Sequence, residues 1–188
     1  MPNSMISTAH RLLTLLALAT LAHGVAQAHG PTRQKVSESV EIDAPPAEVW
    51  AVAGDFQSAD TWLPMVDSST GEGGNDEGAT RTLVVGGGAG EVNEVLKRYD
   101  DERMILSYRI PQATHDISVL PVSNYSSTIS VRANDSGGST VTWRGAFYRG
   151  YMNNDPPENL NDEAAVNAVS GLYKAGLAGL KEYVESQR

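Results

Sequence analysis

The sequence predicts an α+β domain, a curved antiparallel sheet of about seven strands wrapped around one long carboxy-terminal helix, with two short helices after the first strand. Three observations predict it. A segment of period two precedes Pro45-Pro46, six strand-like segments follow one another across short turns, and the chain closes on a single helical stripe. Short connections favour antiparallel pairing, because a parallel pair needs a crossover of about a dozen residues or more.

The first strand is the alternation Val36-Ser37-Glu38-Ser39-Val40-Glu41-Ile42, which has one face to bury. Asp43-Ala44-Pro45-Pro46 ends it, and Ala47 to Ala53 reads as a short helix with proline in its first turn, where a missing N–H costs nothing. Gly54 stops that helix, and a second helical turn is expected from Ser58 to Trp62. Six strands are then expected near 65–71, 79–85, 90–98, 104–110, 121–133 and 138–148, broken by glycine-, aspartate- and asparagine-rich turns. The last element runs from about Asn161 to Glu185. Val166, Val169, Tyr173, Leu177, Leu180 and Val184 recur on one face, Asp162 and Glu163 lie at its start, and Lys181 lies near its end. Gly171, Gly176 and Gly179 each cost about 1 kcal/mol relative to alanine in a helix interior. Three of them imply close packing of the helix backbone, or a thin wall beside a cavity.

The amino terminus reads as a secretory signal peptide over 1–28. A polar start carries His10 and Arg11, an apolar run spans Leu12 to Ala22, and Ala26-Gln27-Ala28 supplies the small residues of a cleavage site. The run is shorter than the roughly 20 residues that span a bilayer. A single domain from 29 to 188, periplasmic or secreted, is therefore expected. Loss of Arg11 takes 14 basic residues to 13 against 23 acidic ones, a formal charge of −10. That balance disfavours nucleic acid and anionic membranes as partners. With no cysteine, the chain has no disulfide, no thiol catalysis and no cysteine-ligated metal.

The order of elements resembles the helix-grip fold of the SRPBCC or START-like superfamily, of polyketide cyclase–dehydrase type. Val40-Glu41-Ile42-Asp43-Ala44-Pro45 with Glu48-Val49-Trp50, then Asp55-Phe56 and Trp62-Leu63-Pro64, resemble its opening. Glu94-Val95-Leu96 with Tyr99-Asp100, and Leu106-Ser107-Tyr108-Arg109-Ile110, resemble its middle strands. Within it, Pro121-Val122-Ser123-Asn124-Tyr125-Ser126, Trp143-Arg144-Gly145-Ala146-Phe147 and Leu172-Tyr173-Lys174-Ala175-Gly176-Leu177 resemble the MxaD-like branch. That resemblance implies an exported, non-enzymatic accessory protein assisting a periplasmic methanol or alcohol dehydrogenase and its c-type cytochrome. The alternatives are a carrier of a small hydrophobic ligand and an enzyme of the polyketide cyclase or dehydratase kind.

Such a fold encloses a cavity between sheet and helix, so inward residues are the candidates for ligand binding. Glu94, Tyr125, Ser127 and Arg144 resemble polar cavity positions of ligand-binding relatives, and Glu94 would neutralise Arg144 if both point inward. Tyr108, Tyr125, Tyr148 and Tyr151, with Trp62 and Met152, supply apolar bodies with polar tips suited to a small organic guest. Alternation alone leaves each strand's inward face open, since a one-residue slip inverts it. Neither a catalytic set nor a metal site is expected: His115-Asp116 lies in an exposed loop, and His29 has no certain partner. No cofactor is expected. Gly86-Gly87-Gly88-Ala89-Gly90 lacks phosphate-loop spacing and reads as a hairpin turn at the cavity rim, where it could serve as a gate.

Overall fold

The computed structural model describes residues 30–188; the expected signal peptide and His29 lie outside the described residues. Its strands are β1 (Gln34–Ile42), β2 (Val66–Glu72), β3 (Thr80–Val85), β4 (Gly90–Asp100), β5 (Ile105–Arg109), β6 (Val122–Ala133) and β7 (Ser139–Arg149). They form one antiparallel sheet in the order β1-β7-β6-β5-β4-β3-β2, so the first and last strands close against each other. Helix α1 spans Pro46–Ala53 and helix α2 spans Asp162–Ser186. The second short helix is only a 3₁₀ turn, Ala59–Thr61, because Gly54, Asp55 and Pro64 leave too few residues for an α-helical ladder.

Every strand sits within two residues of its expected position, and the sheet's inner face follows the alternation. The row Val36–Gly145–Ser127–Tyr108–Leu96 crosses five strands in register beneath α2. One irregularity helps set it. Asn124 takes a left-handed conformation (φ 49°) where the β6–β7 register shifts, and Tyr125 beyond it turns inward.

Asn161 caps α2 by accepting a hydrogen bond from the Ala164 amide at 2.8 Å, ahead of Asp162 and Glu163 in the first turn. The expected stripe is the buried one: Val169, Tyr173, Leu177, Leu180 and Val184 all face the sheet, with Val166 half-buried. Two of the three glycines are explained by close approach. A Cβ on Gly176 would meet Leu63 and Trp143, each at 2.6 Å, and one on Gly179 would strike the Trp62 carbonyl. Gly171 faces open solvent, and nothing in the structure explains it. Among the described residues no helix is long and apolar enough to cross a membrane.

Candidate functional site

Between α2 and the inner face of the sheet lies a cavity of about 270 Å³. Its mouth is apolar and half-open, formed by Gly86 of the β3–β4 turn, Val119 and Leu120 of the loop before β6, and Leu172 of α2. The turn is held in place from below, since the Asp67 carboxylate accepts hydrogen bonds from the amides of Gly87 (2.7 Å) and Gly88 (3.1 Å). Gly86, Gly87 and Gly88 all have positive φ, a run that suits glycine alone.

The inner end of the cavity is polar. Arg81 and Glu94 are directly opposite each other on β3 and β4 and are each about 5 % exposed. Nε and a terminal nitrogen of Arg81 both reach Glu94 Oε2 at 2.6 Å. The other terminal nitrogen donates to the Phe56 carbonyl at 2.6 Å, and the guanidinium lies over the rings of Phe56 (4.3 Å) and Tyr108 (5.2 Å). Each guanidinium nitrogen of Arg81 thus has an acceptor, while Glu94 carries its ion pair on one oxygen. Burial raises the Glu94 carboxyl above its ordinary value of 4.5, against the opposing pull of Arg81.

Beside this pair lies a chain of hydroxyls whose proton directions are fixed by its ends. Trp143 Nε1 can only donate, and the Arg144 carbonyl can only accept. Ser127 accordingly donates to that carbonyl (3.0 Å) and accepts from Trp143 (2.7 Å) and from Tyr173 (2.9 Å). Tyr173 accepts from Tyr125 at 2.7 Å. Tyr108 receives only the weaker branch of the Trp143 N–H, at 3.2 Å, so its own proton is uncommitted. Burial holds all three tyrosines above the ordinary phenol range, which keeps them neutral donors. Gly145 makes the arrangement possible. It faces Ser127 across β6 and β7, and any Cβ there would occupy the position of the Tyr173 hydroxyl.

Of the expected site residues, Glu94, Tyr108 and Tyr125 line this cavity together. Ser127 is buried beneath it, within the hydroxyl chain. Arg144 does not join them. It is exposed on the outer face of β7, because Trp143, Gly145 and Phe147 are the inward set, and the partner of Glu94 is Arg81. Tyr148 shares that outer face, where Arg33 lies over its ring at 6.0 Å. Trp62 is buried on the far side of Trp143, ring centroids 5.7 Å apart, and packs toward α2 away from the cavity. Tyr151 and Met152 fall in the loop after β7, with Met152 42 % exposed. His115 holds its loop together through a 3.0 Å contact between Nε2 and the Leu120 carbonyl.

Arg81, Trp143 and Tyr173 were not among the expected ligand residues. Arg81 was legible in principle: it alternates with Leu83 and Val85, so burying those two carries it inward. Tyr173 stood in the helical stripe as a core residue, and nothing in its spacing marks its hydroxyl as part of a network.

Residues 33–185 match the family described as polyketide cyclase / dehydrase and lipid transport. An uncharacterised protein from Bacillus thuringiensis is 32 % identical, with a TM-score of 0.65 over 81 % of this chain and 99 % of its own. Protein XoxI from Bacillus cereus is 30 % identical, with a TM-score of 0.67 over 82 % and 98 %. A Nitrosospira multiformis protein at 22 % identity and a TM-score of 0.65, over 82 % of this chain and 100 % of its own, shares the fold. With the fold, the inward row and the family match in agreement, the chain belongs to the polyketide cyclase / dehydrase and lipid transport family.

Proposed function

We propose that this protein is an exported, non-enzymatic binder of a small, mainly apolar molecule that carries one hydroxyl-type group. The observation behind this reading is a pair of polar groups with hydrogen-bonding capacity to spare on a mainly apolar wall. The Tyr108 hydroxyl has a proton to give, and Glu94 Oε1 has lone pairs left over after Oε2 has taken the guanidinium. A guest that both accepts and donates, such as an alcohol, a phenol or a protonated acid, satisfies both groups at once. A buried polar group left without a partner costs about 1–3 kcal/mol, so the cavity discriminates against pure hydrocarbons. At about 270 Å³ it lies just under the ~300–1,000 Å³ range of drug-sized pockets, so the guest is compact.

The chemistry argues against turnover. Ser127, a buried hydroxyl beside the cavity, is engaged by the Arg144 carbonyl, Trp143 and Tyr173, and among the described residues no imidazole or unpaired carboxylate bonds to it. A suitable test is titration with 2-naphthol and naphthalene, read by quenching of the buried Trp143. We expect 2-naphthol to bind at least tenfold tighter, and Tyr108→Phe to erase most of that preference. Equal affinities for the two compounds would refute the reading.

A second reading, an MxaD-like accessory role beside a periplasmic alcohol dehydrogenase and its c-type cytochrome, has one specific support. The three segments that resemble that branch supply Tyr125, Trp143 and Tyr173, which are joined in one hydrogen-bonded unit. Co-expression with such a dehydrogenase and cytochrome, followed by measurement of electron transfer with and without this protein, tests it. An unchanged rate counts against it.

A further inference from the structure

The convex face of the sheet, opposite the cavity, carries a charge pattern that the ligand site does not use. Lys35 of β1, Arg144 of β7, Arg109 of β5 and Lys97 of β4 line one shallow groove of about 560 Å³, and all four are exposed. No aspartate or glutamate is among the groove's lining residues. Among the described residues, none of the four has a carboxylate within ion-pairing distance; Arg33, Arg103 and Arg132 share that state outside the groove's lining, whereas Arg81, Arg98, Arg149, Lys174, Lys181 and Arg188 are paired. The floor between the cations is made of hydroxyls, with Ser107 and Thr128 bonded to each other across β5 and β6 at 2.9 Å. Arg33 extends the positive edge, its guanidinium 3.4 Å from Ser126 Oγ.

This clustering stands out against the rest of the chain. From residue 29 onward the protein carries 13 basic and 23 acidic residues, so carboxylates were abundant, yet none lies in the groove. Unpaired like charges held on rigid, adjacent strands repel one another and contribute nothing to folding. We infer that the groove is a docking face for a carboxylate-rich patch on a partner protein. The row from β1 to β4 crosses four strand spacings, or about 19 Å, too long for a small anion to span. An anionic membrane plane would extend past the groove and meet the field of a body that carries 23 acidic residues against 13 basic ones from residue 29 onward. A compact acidic patch meets the cations alone. A contact made between exposed charges on both sides is salt-sensitive. The inference is independent of the cavity reading, and either can fail without the other.

The test uses the ¹⁵N-labelled protein and a decaglutamate peptide as probe, followed by NMR in 20 mM salt. The expected result is saturable shifts at the amides of Ser37, Ser107 and Thr128. Affinity should fall at least tenfold in Arg109→Glu/Arg144→Glu, and likewise at 300 mM salt. All substituted side chains are solvent-exposed, and Lys35→Glu/Lys97→Glu provides a second variant should the first fail to fold. Absence of shifts at those amides overturns the inference. Equal shifts from sodium phosphate, or from phosphatidylglycerol vesicles at matched charge, also overturn it, by assigning the face to a small anion or to lipid. Concentration-dependent dimers that Arg109→Glu/Arg144→Glu abolishes would overturn it in favour of a second copy of this chain.

Discussion

Replacing Glu94 by leucine tests the polar end of the cavity most directly, because the two members of its ion pair are held so differently. In Glu94→Leu, Arg81 keeps the Phe56 carbonyl and the two aromatic faces but loses the acceptor that both remaining guanidinium nitrogens share. A buried cation left in that state costs about 3–5 kcal/mol. For a domain of this size each kcal/mol moves Tm by about 2–4 °C, so a fall of roughly 6–20 °C is expected. Arg81→Met is milder. The carboxyl it strands is already biased toward its neutral form by burial, leaving mainly the orphaned Phe56 carbonyl, about 1–3 kcal/mol. The double variant Arg81→Met/Glu94→Leu removes both charges and packs apolar atoms in their place. Such exchanges are often neutral or stabilising, so it should be more stable than Glu94→Leu. Urea unfolding followed by tryptophan fluorescence reads all four proteins, since Trp50, Trp62 and Trp143 are all buried. Additive losses, with the double variant as unstable as the two single losses combined, would refute the claim that Arg81 and Glu94 act as one unit. Arg144→Met supplies the contrast: as an exposed side chain it should change stability by no more than about 0.5 kcal/mol.

Further outcomes follow from the same geometry. Because burial raises the Glu94 carboxyl, the folded state binds its proton more tightly than the unfolded chain does. The stability from that group is complete below pH 4.5 and is lost as pH rises through the folded value. Wild type should therefore lose ground to Glu94→Gln between pH 4 and pH 7 in paired urea melts; a gain instead would contradict the sign. Gly145→Ala drives a methyl into the Tyr173 hydroxyl and should cost about 1–3 kcal/mol, with Tyr173→Phe recovering part of it; a neutral Gly145→Ala would mean the contact is slack. Asp67→Ala frees the amides of Gly87 and Gly88 at the cavity mouth. Hydrogen exchange at those glycines should accelerate at least tenfold, and unchanged exchange would show that the turn holds itself.

The elements were legible because each is written in a local signal. Period two, proline and glycine punctuation, and the Val169–Val184 stripe need no knowledge of the remainder of the chain. The site was legible only in part, because it depends on which face of each strand turns inward and on partners far apart in sequence. Glu94, Tyr108 and Tyr125 fell on the right side, whereas Arg144 and Tyr148 fell on the wrong one by a single position of alternation. The error with Arg144 is physically instructive. A buried carboxylate demands a cation, and among the several cations on strands Arg81 lies 13 residues from Glu94 and Arg144 lies 50 away. Only hairpin register separates them: the short β3–β4 turn sets Arg81 opposite Glu94, while Arg144 lies three strands from β4. The charge balance invites a similar mistake, since the net of −10 from residue 29 onward describes a field averaged over the surface and hides where the cations are. Lys35, Lys97, Arg109 and Arg144 line one groove of an otherwise acidic body, and that local asymmetry, invisible in the net charge, is what the inferred docking face rests on.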